Sequence, residues 1–148
     1  MIDFARLQRL VERLQTRAQQ PVPANLVLLI TADVQIGQVQ PALARFIAQR
    51  VRGFEWTDGT LAMSRGACDF DSRSALLAEA AARLRETGMV RGWRDEQLAV
   101  GKPALATLER AACRPLGITT EAVHLNAYVT ADALIVARRS ALKQIDPG

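Results

Sequence analysis

His124, Asn126 and Tyr128 alternate with Val123, Leu125 and Ala127. Successive side chains of an extended strand face opposite ways, so the three polar residues form one row. Such a row suits substrate contact from an open strand face. The plainer reading makes His124 a structural or surface group, because ligands come in clusters. Arg138, Arg139 and Lys143 follow. Adjacent strand residues diverge, so at most one of the two arginines meets a ligand on a given face. A guanidinium there suits bidentate recognition of phosphate or carboxylate; strand-end solubility is the alternative. Earlier in the chain, Trp93, Arg94 and Glu96 stand together after Gly92. The indole is either a stacking platform for a flat ring or a core plug.

Other chemistries find no footing. A Cys or Ser nucleophile needs a base, and His124 is the single histidine. The two cysteines, Cys68 and Cys113, form no CxxC pair. A structural zinc site needs about four Cys/His ligands. Both thiols therefore read as free, and as buried or semi-buried. Asp69 and Asp71 are paired carboxylates just before a helix, where capping accounts for them. No Gly-rich phosphate loop of a common type occurs.

The elements that must position these residues are readable from periodicity. Phe4, Leu7, Leu10, Val11 and Leu14 recur at helical spacing, with Asp3 placed to cap and Pro21 and Pro23 to stop the helix. Val27 to Thr31 reads as a strand, Gly37 as a turn, and Pro41 as the first residue of a second helix. Asp58-Gly59 between short apolar runs predicts a hairpin. Asp71 or Ser72 is expected to cap a third helix with Leu76, Leu77, Ala80, Ala81 and Leu84 on its apolar side, a Glu79–Arg83 pair on its wet side and Gly88 at its end. Gln97 to Val100 reads as a strand. Pro103 is expected to open a fourth helix through Leu105 and Leu108, ended by Pro115 and Gly117. Val123 to Val129 and Leu134 to Ala137 then form a terminal hairpin. The fold class is α+β: a small mixed sheet packed with about four helices.

The 148 residues are 49% hydrophobic and 23% charged, an ordinary globular composition. No apolar run approaches the ~18 residues of a membrane-spanning helix. Charged residues interrupt the N-terminus, so it does not read as a signal peptide, and a cytoplasmic protein with no membrane partner is expected. The net charge of +4 is almost all arginine, Lys102 and Lys143 being the lysines. These arginines are scattered and aromatics make up only 5%, so no nucleic-acid surface is expected, and solvated helix faces account for the charge.

Gly92-Trp93-Arg94-Asp95-Glu96, Leu108-Glu109-Arg110-Ala111-Ala112 and Pro115-Leu116-Gly117 form one block. Val123 to Val129, Val136-Ala137-Arg138-Arg139-Ser140 and Lys143 to Gly148 form another. In this order they resemble the N-terminal region of Nudix hydrolases related to thiamine pyrophosphokinase, a region catalogued as a domain of unknown function. Ala127 stands where that family usually has glycine. The resemblance implies that full-length relatives hydrolyse a diphosphate bond, with Mg²⁺ or Mn²⁺ and oxidised thiamine diphosphate analogues as substrates. It makes residues 1–119 an accessory domain and 120–148 the first hairpin of a truncated Nudix-type domain, whose missing catalytic part is the implied partner. Arg138 or Arg139 with Lys143 would then touch the diphosphate, and Trp93 would stack on a ring such as thiamine's pyrimidine. Leu84-Arg85-Glu86-Thr87-Gly88-Met89 imitates the end of a Nudix box, but Ala81, Ala82 and Arg85 stand where cation-binding residues should be. No cofactor is therefore expected in this chain, and no catalysis from it alone. The competing reading is a stand-alone, non-catalytic binding or interaction module. The open edge of the terminal hairpin predicts some tendency to dimerise.

Overall fold

Val27, Leu29 and Thr31 point inward while Leu28 and Ile30 are half-buried, the period-two pattern of a sheet strand. In the computed structural model, which describes residues 4–18, 23–57, 59–123, 125, 127–130 and 133–135, this strand β1 (Val27–Thr31) is one of the two inner strands of a mixed sheet. It pairs antiparallel with β2 (Val34–Val39) and parallel with β4 (Thr60–Met63), and β4 pairs antiparallel with β3 (Phe54–Thr57). The order is β2-β1-β4-β3. Helix α2 (Pro41–Arg50) opens at Pro41 as expected and buries Ala44 and Ile47. The hairpin around Gly59 also forms as expected, with Gly59 at φ +78; Asp58 lies outside the described residues.

Gly37 does not mark the turn. Ala32 and Asp33, at φ 48 and 63, make it, and Gly37 lies inside β2 opposite Leu29. Its lack of a side chain serves a close approach instead: a Cβ at Gly37 would overlap the carbonyl oxygen of Leu116, and one at Gly117 would overlap that of Gln38. The two glycines let β2 and the 115–118 segment meet backbone to backbone.

Helix α3 (Phe70–Glu86) buries Leu77, Ala80, Ala81 and Leu84, as its periodicity predicts. Its cap is Asp69, not Asp71 or Ser72. The Ser72 N–H donates to Asp69 Oδ1 at 2.7 Å, and the Asp69 N–H donates back to Ser72 Oγ at 3.1 Å, a reciprocal box. Asp71 sits in the first turn. The expected Glu79–Arg83 pair gives way to Arg83–Glu86 at 3.2 Å. At the other end the Gly88 N–H bonds to Arg85 O and the Met89 N–H to Leu84 O, with Gly88 at φ +72. This is a Schellman closure, with glycine at the expected place.

Strands β5 (Gln97–Val100) and β6 (Ala106–Glu109) form an antiparallel hairpin packed on α3. This replaces the helix expected from Pro103. Ala106 and Leu108 are buried in alternation, and the Thr107 N–H donates to Ser74 Oγ of α3 at 2.9 Å. The three-residue spacing of Leu105 and Leu108 imitated a helix; period two and pairing with β5 prevail. Only α4 (Arg110–Cys113) is helical here. The architecture is thus α+β, with a four-stranded mixed sheet, small two-stranded sheets and four helices among the described residues.

Among the described residues the terminal hairpin consists of β7 (Tyr128–Thr130) and β8 (Ala133–Leu134), and residues 136–137 of the expected second strand lie outside them. Val123, Leu125 and Val129 are exposed, so they are not docked by one apolar face. Both cysteines are free, but only Cys113 is buried; Cys68 is exposed in the loop before α3. Helix α1 (Phe4–Ala18) forms where periodicity places it, yet Phe4, Leu7, Leu10, Val11 and Leu14 are 43–74% exposed. None of the described helices is long and apolar enough to cross a membrane.

Candidate functional site

A buried carboxylate needs hydrogen-bonding partners, because its desolvation is costly. Glu109, at the end of β6, is 1% exposed. Its Oε1 accepts from the N–H groups of Arg94 and Ala111, both at 3.2 Å, and its Oε2 from that of Glu96 at 3.0 Å. The Arg110 N–H adds a bond to Glu96 O at 2.8 Å. One side chain thus fastens the 92–96 loop to the start of α4.

Side chains stiffen the same loop. Trp93 Nε1 donates to Asp95 Oδ1 at 2.7 Å, with Asp95 in the left-handed region at φ 57. The Arg85 guanidinium lies 4.6 Å from the Trp93 ring centroid, a cation–π distance. Arg110 bonds both oxygens of Glu96, at 3.1 and 2.9 Å. The result is a cleft of about 380 Å³ walled by Arg91, Arg94, Arg110 and Arg114, with Met89 and Pro115 as its apolar part. A neighbouring cavity of about 700 Å³, lined by Leu26, Gln38, Gln40 and Leu43, shares Met89, Arg114 and Pro115 with it.

The structure brings Trp93, Arg94 and Glu96 of the expected site together in one loop. Arg94 lines the cleft, Glu96 is engaged by Arg110, and Arg85 stands over the indole where a stacked ring would lie on that face. Tyr128 is exposed on β7. His124, Asn126, Arg138, Arg139 and Lys143 lie outside the described residues. Sequence reasoning missed Arg91, Arg110 and Arg114. The signal was there as two short-spaced pairs, Arg91/Arg94 and Arg110/Arg114, flanking the hairpin that Glu109 closes.

The rest of the chemistry stays quiet. Burial, and after it the nearby Glu109 carboxylate, pushes the Cys113 thiol above its usual value, so it remains protonated and a poor nucleophile. Among the described residues no group of three His, Cys, Asp or Glu side chains is placed to hold a metal ion. Helix α3 does not fit a divalent cation either: Glu86 is paired with Arg83, and Ala81, in place of a carboxylate, is buried in the core.

Among curated proteins none matches the chain. A family model described as a domain of unknown function, DUF4743, matches residues 6–120. The match takes in the sheet, α2, α3 and every wall of the arginine cleft, and the chain belongs to this family of domains of unknown function.

Proposed function

We propose that the chain is the accessory, substrate-binding part of a Nudix-type diphosphohydrolase working in the cytoplasm. Its substrates are of the thiamine diphosphate type, and it is not catalytic by itself. The observation that carries this reading is the cleft. Segments 92–96 and 108–117, which hold much of the resemblance to that hydrolase family, are tied together by Glu109 and open four arginines onto one space. Several guanidinium groups opening onto one space are suited to phosphate recognition. Bond cleavage would fall to a catalytic Nudix domain carrying the Mg²⁺ or Mn²⁺, with residues 120–148 contributing its first hairpin. The exposed apolar face of α1 also favours the alternative of a non-catalytic interaction module.

The test pairs binding with turnover. The 148-residue chain is expected to bind thiamine diphosphate by calorimetry, and to release no phosphate from it with Mn²⁺. Release well above a heat-denatured control, abolished by Glu86→Gln, would show that the chain is catalytic and overturn the proposal.

A further inference from the structure

We infer that the two cavities sharing Met89, Arg114 and Pro115 are one trough with a polarity: the arginine end takes the diphosphate and the other end takes the organic head, read by Gln38 and Gln40. This deepens the binding half of the function proposed above and rests on it; it does not depend on the catalytic half.

Charge distinguishes the first end. Among the described residues, carboxylates engage Arg83, Lys102 and Arg110. The side chains of Arg91, Arg94 and Arg114 have no such partner. The carboxylates nearby are committed elsewhere: Glu109 is buried beneath three backbone N–H groups, Asp95 accepts from Trp93, and Glu96 holds Arg110. Among the described residues these three guanidinium groups face one cleft without an ion-pair partner, and an anion with several oxygens can bond to more than one of them. Arg110 is steadied by Glu96 and can add a further donor.

The second end has a different chemistry. Leu26 and Leu43 give it apolar walls, and its hydrogen-bonding side chains other than Arg114 are the amides of Gln38 and Gln40. Neither amide has a hydrogen-bond partner among the described residues, and Gln40 stands at the start of α2 without capping it. Each amide can both donate and accept, which suits the edge of a heterocycle. Arg114 lies in both cavities and would meet the phosphate nearest the head.

Calorimetry and thermal melts with inorganic pyrophosphate and with thiamine diphosphate test both ends. Pyrophosphate is expected to bind and raise the melting temperature, more weakly as salt screens the arginines. Arg91→Gln and Arg114→Gln are each expected to weaken it about tenfold, the scale of one lost charge-assisted bond, while the unliganded melting temperature holds because both side chains are exposed and have no ion-pair partner among the described residues. Thiamine diphosphate is expected to bind tighter than pyrophosphate, and Gln40→Ala to erase that excess only. Pyrophosphate binding that is absent, or indifferent to both arginine variants, overturns the anion end. Equal affinity for the two probes overturns the head end, as does an excess that survives Gln40→Ala. These failures remove the cleft as the substrate-binding site but do not make the chain catalytic, whereas turnover by the chain alone would overturn its non-catalytic role and leave the trough intact.

Discussion

Glu109 shows how one residue sets a local conformation. Both of its oxygens are used, Oε1 by two N–H groups and Oε2 by one. Glu109→Gln keeps the shape but sets an NH₂ donor against a backbone donor whichever way the amide turns. The expected cost is about 2 kcal/mol, the usual penalty for a buried polar group left unsatisfied, measured by urea denaturation. Thr31 is the opposite case. It is 1% exposed, and its hydroxyl has no hydrogen-bond partner among the described residues. Thr31→Val removes that group, so stability is expected to rise by about 1 kcal/mol, read as a higher urea midpoint with an unchanged slope. Neither environment was legible in the sequence. Glu109 reads there as one charged residue in Leu-Glu-Arg, and only folding brings positions 94, 96 and 111 around it. Trp93, Arg94 and Glu96 were legible as a group because they are neighbours in sequence; Arg110 and Arg114 join them only in the fold, through the bonds of Glu109 and of Glu96.

Elements with strong local signals came out where the sequence put them. Proline opens α2, glycine closes α3, and the β3–β4 hairpin turns at Gly59. The misreadings share a cause. Residues 103–108 were assigned by local spacing, yet α3 and β5 decide their conformation through the Thr107–Ser74 bond and the β5 ladder. The α3 cap was placed too late because Asp69, Asp71 and Ser72 are all plausible caps, and only geometry selects Asp69 with Ser72 as its reciprocal partner. That cap has a pH signature. The Ser72 hydroxyl, then the Ser72 N–H, holds the Asp69 carboxyl below its usual 3.8. A lowered folded value means that the contribution is present above the unfolded value and is lost as pH falls through the folded one. Asp69→Ala should therefore melt below the native chain at pH 7, and the gap should narrow progressively below about pH 3.8. A gap of constant size down to pH 2 would mean that the cap's charge is idle.

At the scale of the molecule, the core joins the sheet, α2, α3 and the β5–β6 hairpin, while α1 adds none of the buried hydrophobic residues found among the described side chains. An apolar stripe left in water favours self-association. Leu7→Glu with Leu14→Glu is expected to leave the melting temperature unchanged and to abolish any concentration-dependent increase in mass seen by light scattering; a lowered melting temperature would show that α1 helps hold the core. The contact between β2 and the 115–118 segment works in the other direction, because nothing about it is adjustable. Gly37 faces the Leu116 carbonyl and Gly117 the Gln38 carbonyl. The obstructing atoms are main-chain oxygens, present whatever residue occupies 116 or 38, so no second-site substitution there can make room for a side chain. Positions 37 and 117 are therefore locked for descendants of this sequence. The exposed arginines and glutamines nearby carry no such constraint, so a side chain introduced at 37 or 117 is expected to cost far more stability than a substitution at any of them.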